Sequence, residues 1–239
     1  MASVSGAQPS QSLARIALFK ETDEQSRKRI EQRCRWRRFQ AHDTIIDRAS
    51  AGHEVHFVVS GRARVVDYAA SGREVSFEDI EAGGIVGELA AIDGGERSAS
   101  VVALEPTVTA SLEPRTFLNI MADHPEVGLA MMRRLTSMVR HASERIMDLS
   151  TLGAHNRVHA ELLRLARHAV GGDEEAESAR ISPIPVHSDI ASRVSTTRET
   201  VARVLSDLTK DGLLKRERNA LVVPDIPALE ELVERVRGE

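Results

Sequence analysis

The chain has 239 residues, a formal net charge of −4 and a single cysteine, Cys34. That length exceeds one typical small domain and allows two. One cysteine excludes an internal disulfide framework and a cysteine-ligated iron–sulfur cluster. Aromatic residues make up only 3%, which argues against base stacking on aromatic platforms. The negative net charge argues against a non-specific DNA binder, although a regulator can still carry a local basic surface on one helix.

The sequence contains no apolar run near the roughly 18 residues of a membrane span. Its first ten residues lack the basic and apolar segments of a signal peptide. We therefore predict a cytoplasmic protein with no membrane partner. The nine histidines show no H-E-x-x-H spacing, so we predict no metal site. We find no nucleophile paired with a base in the sequence, so we do not predict an enzyme.

The first part of the chain combines a polar terminus with a basic segment. Residues 1–12 are small and polar, which is typical of a disordered terminus, and residues 13–19 predict the start of a helical segment. Residues 27–38 are strongly basic. A solvated helix face is the simpler interpretation of that segment, and a contact with DNA backbone or a protein partner is the alternative.

Between residues 44 and 112 the pattern changes to short β-like runs separated by turn signals. Val55, Phe57 and Val59 alternate with positions predicted to be polar or exposed, and Gly61 turns the chain into a returning strand. A second turn is predicted at residues 70–72. Many short strands at regular spacing predict a β-sandwich or barrel.

The stretch at residues 87–100, G-E-L-A-A-I-D-G-G-E-R-S-A-S, combines groups suited to a phosphate and a sugar. Gly87 lets backbone N–H groups approach an anion closely. Arg97 can hold a phosphate with two forked, charge-assisted hydrogen bonds. The carboxylate of Glu88 can accept hydrogen bonds from sugar hydroxyls. A surface loop with solvated Glu88 and Arg97 is the alternative interpretation.

A long helix is predicted to open at Pro125. Its apolar residues follow the a/d spacing of a heptad seam: Met132, Leu135, Val139, Ala142, Ile146 and Leu149. The seam alone fits one side of an intramolecular bundle and a parallel coiled coil with a second copy equally well. Gly153 breaks the pattern and is a candidate hinge.

The last third of the chain predicts a further helix at 157–169 and then a helix-turn-helix with a wing. Ser188 is a candidate N-cap for a short helix that starts near His187, residues 195–197 form the turn, and residues 198–205 form the second helix. Residues 213–214 and 221–223 predict the wing hairpin. Residues 188–218 contain seven Lys or Arg and five Asp or Glu, a local balance of +2.

The outer face of the second helix carries Arg198, Glu199 and Arg203. Arginine can bond guanine edges in pairs, and glutamate can accept a hydrogen bond from cytosine. This arrangement is typical of a helix that enters the major groove. A plain amphipathic helix pair is the alternative.

Two motifs carry a family resemblance. G-E-L-A followed by R-S-A resembles the phosphate-binding cassette of cyclic-nucleotide-binding domains. T-R-E-T-V-A-R at 197–203 resembles the reading helix of bacterial regulators of the cyclic-AMP receptor protein and fumarate-nitrate reduction regulator superfamily, cyclic-AMP receptor branch. The resemblance covers residues 18–223.

The resemblance implies an α+β fold in three parts. These are an N-terminal jelly-roll β-barrel with its helices over residues 1–124, a dimerisation helix over 125–152 and a winged helix-turn-helix over 153–239. It further implies a homodimer that binds double-stranded DNA at a pseudo-palindromic site with TGTGA-like half-sites. Cyclic AMP is the implied allosteric ligand, with no other cofactor, and RNA polymerase is the implied protein partner.

The resemblance also assigns site residues. It places Glu88 on the ribose hydroxyl and Arg97 with Ser98 on the cyclic phosphate. The neighbouring cassette and wall positions are Gly87, Leu89, Ala90, Ala99, Val65 and Phe77. It places Arg198, Glu199 and Arg203 on base edges and Thr197 and Thr200 on phosphates. His187 and Ser188 lie at the start of the first helix of the DNA-binding motif.

The chain departs from the family at the adenine contacts. The family uses a Thr-Ser pair on the long helix, and this chain has Ala142 and Ser143 there. The choice between cyclic AMP and cyclic GMP therefore stays open. The cysteines of the oxygen-sensing branch and the axial haem ligands of the carbon-monoxide-sensing branch are not found. A regulator of the same fold that binds no cyclic nucleotide, and is constitutive or controlled by a protein or another small ligand, remains the alternative.

Overall fold

Residues 11–69, 72, 74–171, 173 and 175–237 are described by the computed structural model of the protein. The strands of the N-terminal half are β1 Arg35–Phe39, β2 Thr44–Ile46, β3 Val55–Ser60, β4 Arg62–Tyr68, β5 Glu74–Glu81, β6 Ile85–Val86, β7 Ser100–Ala103 and β8 Thr107–Leu112. They pair antiparallel into two four-stranded sheets, in the orders β1-β8-β3-β6 and β2-β7-β4-β5. The predicted two-sheet β domain is confirmed.

Strand β3 is buried on both of its faces. Val58 joins the apolar core that both sheets contribute to, whereas Val55 and Phe57 pack into a second core with the helices. The Phe57 ring centroid lies 5.1 Å from that of Phe19 and 6.2 Å from that of Phe117. His56, between them, is also buried. The predicted alternation with exposed positions in β3 is therefore wrong, because helices cover the outer face of this strand.

The helices of the N-terminal half are α1 Glu24–Glu31, α2 Glu88–Asp93 and α3 Pro114–Asp123, with a 3₁₀ turn at Ala17–Phe19. Helix α1 ends before the basic segment does. Arg35, Arg37 and Arg38 lie on the edge strand β1 instead, whose ladder with β8 runs through five residue pairs. The predicted continuous basic helix face is thus wrong, because long-range strand pairing determines the second half of the segment.

The long helix α4 spans Pro125–Thr151, as predicted. Val127 and Met131 are buried in the core that includes α3 and β3. The chain divides into two compact units between Met138 and Val139, inside this helix. The predicted domain limits at 124 and 152 stay predictions.

The second unit continues with α5 Ala154–Ala169, β9 Ala179–Ile181, α6 His187–Arg193, α7 Arg198–Lys210, β10 Lys215–Arg216, β11 Leu221–Val223 and α8 Ile226–Arg237. β10, β11 and β9 form an antiparallel sheet in that order. The predicted helix-turn-helix and wing are confirmed, although the first wing strand begins at Lys215, after the predicted residues 213–214. Leu214 is buried and belongs to the core. Helices α3 and α8 were not predicted.

Helix α6 begins without a side-chain cap. Its N-cap is Val186, and the hydroxyl of Ser188 donates to Asp189 Oδ1. The predicted N-cap role of Ser188 is therefore wrong, because the helix begins at His187, two residues before the first helical position that a Ser188 cap requires.

Residues 1–10 of the terminus predicted to be disordered over residues 1–12 lie outside the described residues, and so do the predicted turn residues Ala70 and Ser71. The prediction is wrong at Ser12, because its hydroxyl donates to Glu31 Oε1 at 3.1 Å. Among the residues that the structure describes, none of the helices combines the length and the apolar composition of a membrane span.

Candidate functional site

The cassette begins where β6 turns sharply into α2. Gly87 is the N-cap of α2 and has φ +79, a conformation that favours glycine. A Cβ atom on Gly87 would lie 2.7 Å from Arg97 Nη1, 2.8 Å from Ile46 Cδ1 and 3.0 Å from Glu54 O. Glycine therefore serves two needs at once: the left-handed turn and the close approach of the Arg97 guanidinium.

Arg97 is a buried cation held mainly by backbone oxygens. Its residue is 6% exposed, Nη1 donates to Gly87 O at 3.0 Å, and Nη2 donates to Glu54 O at 2.8 Å. Burial lowers the pKa of Arg97, and the charges of Glu54 and Glu88 oppose that effect. Its Nε is buried and has no acceptor among the described residues. A buried donor without a partner is costly, so an acceptor placed beside this atom would stabilise the folded protein.

Glu88, the first residue of α2, is 3% exposed. Arg134 of α4 donates through Nε to its Oε1 at 3.2 Å. The same guanidinium donates through Nη2 to Ile85 O at 3.1 Å and to Glu78 Oε2 at 3.4 Å. Arg134 thus joins α4 to α2, β6 and β5. The contact between Arg134 and Glu88 is not predicted from the sequence, since the heptad pattern of α4 shows Arg134 only as a charged residue outside the apolar positions.

The other cassette residues divide between the core and the surface. Ala90 and Ala99 are buried, while Leu89 and Ser98 are exposed. Ser98 therefore lies at the surface beside the buried Arg97.

The two predicted wall residues lie on neighbouring strands. Val65 on β4 is half-buried and packs against the core between the sheets. The ladder between β4 and β5 shifts at this point, pairing Val65 with Glu78 and Val66 with Ser76. Phe77 is the extra residue of that irregularity and is 48% exposed. An irregularity of this kind can redirect a side chain next to a binding site.

A cavity of ≈ 390 Å³ borders Arg97. Ile46, Glu54 and His56 also line it, whereas Glu88 does not. The cavity therefore lies on the side of Arg97 that faces the segment between β2 and β3.

Ala142 and Ser143 are exposed on the part of α4 that belongs to the second compact unit. The Ser143 hydroxyl donates to Val139 O at 3.0 Å. Its lone pairs remain available as acceptors.

The reading helix α7 presents its predicted residues to solvent. Arg198, Glu199 and Arg203 are exposed, while Val201 and Val204 are buried in the core of this unit. Helix α7 is therefore amphipathic, with an apolar face in the core and a charged face in solvent.

Thr197 has a structural role at the start of α7. It is the N-cap, and its Oγ1 accepts from Thr200 N at 3.2 Å. Hydrogen bonds from the Glu199 backbone and from Thr197 lower the pKa of Glu199. His187 is half-buried at the start of α6, and burial, followed by Arg198 and Arg216, lowers its pKa. Ser188 is exposed.

Comparison with known proteins gives matches in both halves of the chain. The model of the cyclic nucleotide-binding domain family matches residues 36–124, and that of the Crp-like helix-turn-helix domain matches residues 156–232. A cyclic AMP receptor protein of Thermus thermophilus is 30% identical over 188 residues, which cover 79% of this chain and 83% of that protein. The chain belongs to the cyclic-AMP receptor protein superfamily.

Further relatives agree with this membership. A CRP-like cAMP-activated global transcriptional regulator of Mycobacterium tuberculosis is 24% identical over 213 residues, 89% of this chain and 94% of the relative. A CooA variant from Carboxydothermus hydrogenoformans has the same fold, with a TM-score of 0.78 at 24% identity over 91% of this chain and 95% of that one. The protein is a DNA-binding transcription regulator with a cyclic-nucleotide-binding domain, in a family of regulators and not of enzymes. Among the described residues, no group of three or more potential metal ligands is present.

Proposed function

We propose that this superfamily member is a homodimeric regulator whose binding to DNA is gated by cyclic AMP in the barrel. The observation that carries the proposal is the buried Arg97 with its unpartnered Nε. Burying a cation without full hydrogen bonding is unfavourable. A cyclic phosphate supplies both the counter-charge and the missing acceptor, and the turn at Gly87 lets the start of α2 approach it.

The remaining contacts follow from the residues around that anion. Glu88 accepts from the ribose hydroxyl, since only Oε1 faces Arg134. Val65 and Phe77 line the wall. Ser143 contributes to base recognition, and the missing hydroxyl at Ala142 leaves cyclic GMP as a measurable competitor.

A second copy of the chain accounts for the apolar seam of α4. Met132 is 59% exposed, Val139 66% and Ile146 63%, although all three occupy a/d positions of one heptad pattern. An exposed apolar stripe of this length marks an interaction surface. A parallel partner helix would bury it and generate the two-fold symmetry of a palindromic operator.

In such a dimer, each α7 enters a major groove. The two half-sites are then about 34 Å apart, one helical turn of DNA. Arg198, Glu199 and Arg203 read base edges of a TGTGA-like half-site, and Thr197 with Thr200 contacts phosphates. Cyclic AMP favours DNA binding only if it binds better to the dimer arrangement that fits both grooves. A contact with RNA polymerase belongs to the same proposal.

The proposal is tested by titrating cyclic AMP and cyclic GMP into the wild type, Arg97→Gln and the control Arg115→Gln. Arg115 is an exposed arginine of α3. We expect cyclic AMP to bind the wild type and the control alike and to raise DNA affinity. Arg97→Gln should lose both effects while keeping its fold by circular dichroism. Equal nucleotide affinity in Arg97→Gln would refute the phosphate assignment.

The dimer is tested separately with Val139→Lys, which places a charge in the seam. We expect analytical ultracentrifugation to show a dimer for the wild type and a shift towards monomer for the variant. The exposed Arg140→Gln, outside the seam, should stay dimeric. If no cyclic nucleotide binds the wild type, yet it binds DNA as a dimer, the constitutive or differently controlled regulator is the correct alternative.

A further inference from the structure

Arg157 of α5 uses its guanidinium on three backbone carbonyls. Nη1 donates to Leu152 O at 2.8 Å, Nε to Val194 O at 2.8 Å and Nη2 to Ser195 O at 3.2 Å. Leu152 directly follows the end of α4 at Thr151. Val194 is the C-cap of α6, and Ser195 enters the turn before α7. One side chain therefore joins the end of the long helix to the turn of the helix-turn-helix.

The contacts with these carbonyls compensate for an unfavourable position of Arg157 in its own helix. It is the fourth residue of α5, whose first turn contains no acidic residue. A cation near a helix N-terminus is disfavoured by the helix dipole. The last carbonyls of a helix, in contrast, lack intrahelical donors and favour cations. Arg157 thus stabilises the C-terminal ends of α4 and α6 at the expense of its own helix.

The turn that Arg157 contacts determines where α7 starts. Ser195 has φ +53, an unusual conformation for a residue other than glycine. Thr196 N donates to Ala191 O at 3.0 Å, and Thr197 then caps α7. A bond to the Ser195 carbonyl therefore holds the peptide two residues before the N-cap of the reading helix.

We propose that Arg157 is a positioning residue for α7, which transmits the state of α4 to the reading helix through the turn. The gating part of this inference rests on the proposed function. The geometric part does not, because it concerns only Leu152, Arg157 and the turn. Lysine keeps the charge but lacks the planar fork that reaches three acceptors, so Arg157→Lys should restore the function only in part.

The experiment compares full-length wild type, Arg157→Gln, Arg157→Lys and the control Arg167→Gln. Arg167 lies on the same helix and bonds Glu230 of α8, away from the turn. Three quantities are measured. They are cyclic AMP affinity without DNA, the ratio of DNA affinities with and without cyclic AMP on a site selected by the wild type, and amide hydrogen exchange of residues 194–200.

We expect Arg157→Gln to keep cyclic AMP affinity within twofold of wild type and to lose at least tenfold in the DNA-affinity ratio. Exchange of residues 194–200 should become at least tenfold faster, with Arg157→Lys intermediate and Arg167→Gln like the wild type. A ratio within twofold of wild type, or unchanged exchange, overturns the proposal. If Arg157→Gln is unfolded by circular dichroism, Arg157→Lys decides: a loss of more than twofold in the ratio with faster exchange supports the proposal, and a ratio within twofold of wild type or unchanged exchange overturns it.

The outcome for the proposed function is separate. A wild type whose DNA affinity ignores cyclic AMP refutes the cyclic-nucleotide gating. In that case DNA affinity and hydrogen exchange still test whether Arg157 positions α7. Losses in both for Arg157→Gln, but not for Arg167→Gln, support its positioning role, and unchanged values overturn it.

Discussion

Arg134 Nε lies 3.2 Å from Glu88 Oε1, so the long helix reaches directly to the first residue of the cassette helix. Glu88 is almost fully buried and Arg134 is only partly exposed. A hydrogen bond to a charged group contributes about 1.5–3 kcal/mol. The carboxylate proposed to recognise the ribose is therefore held in place by a residue of α4.

We predict that Arg134→Gln weakens ribose recognition. Without its cation, the buried Glu88 carboxylate loses both its charge partner and its orientation. Cyclic AMP affinity should fall by roughly tenfold or more, the equivalent of about 1.4 kcal/mol. The preference for cyclic AMP over its 2′-deoxy analogue should shrink, because that preference measures the hydroxyl contact.

The matched control is Arg133→Gln, which removes the exposed neighbouring arginine. Both variants are titrated with cyclic AMP and 2′-deoxy cyclic AMP by calorimetry. An unchanged preference in Arg134→Gln would mean that Glu88 recognises the ribose without help from α4.

The sequence predicts those parts of the site whose signals are local. The long helix that begins at Pro125 and the second helix of the helix-turn-helix follow from the spacing of neighbouring residues. The Arg134–Glu88 contact joins residues 46 positions apart, and no local pattern marks it. The error at β1 has the same cause: its basic residues fit a helix face locally, but they pair with β8, which is distant in sequence. Burial of β3 on both faces likewise depends on helices distant in sequence.

A second prediction separates base reading from phosphate contact on α7. Arg203→Ala should lower specific DNA affinity by roughly 1–3 kcal/mol and relax preference at one base position. Arg203 is exposed on the outer face and so is free to reach a base edge. Competition binding against an operator library checks the change, and equal binding of wild type and variant would contradict the proposed docking.

Thr200→Ala should instead weaken binding to all sequences alike, because a phosphate contact carries no base information. The variant also removes a hydroxyl that lies 3.2 Å from the Thr197 hydroxyl at the cap. Thermal unfolding without DNA therefore serves as the control for a loss of helix stability. A selective loss at one base pair would contradict the phosphate role.

A third prediction concerns pH and His56. This histidine is 2% exposed, its Nδ1 lies 3.3 Å from Thr109 Oγ1, and burial lowers its pKa to about 4. The folded state therefore holds a neutral imidazole at pH values where the unfolded chain binds a proton. Stability from this group is fully present above about pH 6.5 and is lost as pH falls through 6.5 towards 4.

The loss between pH 7 and pH 5 should be about 2 kcal/mol. His56→Gln removes the titration while keeping a polar side chain near Thr109. Urea denaturation at both pH values measures the unfolding free energy of each protein. The stability advantage of the wild type over His56→Gln should be smaller at pH 5 than at pH 7 by that amount, because only the wild type binds a proton at His56 on unfolding. A difference that is the same at both values would show that His56 does not cause the acid sensitivity.

The last prediction concerns base choice at Ala142 and Ser143. The missing threonine hydroxyl at Ala142 removes one hydrogen bond to the adenine amino group, a bond of about 0.5–1.5 kcal/mol net. That is about a factor of ten at most. The Ser143 hydroxyl already donates to Val139 O, so it offers an acceptor that suits an amino group. Rotation would let it donate to a guanine carbonyl at the cost of that bond.

We therefore predict that cyclic AMP binds with only modest selectivity and that cyclic GMP competes measurably. Ala142→Thr should widen the preference for cyclic AMP by up to about tenfold. Ala142→Val is the matched control, because it adds the same branching without a hydroxyl and should leave the preference unchanged. Competition titrations of both nucleotides on the three proteins measure this. If the wild type already excludes cyclic GMP by several orders of magnitude, the selectivity comes from other residues of the pocket.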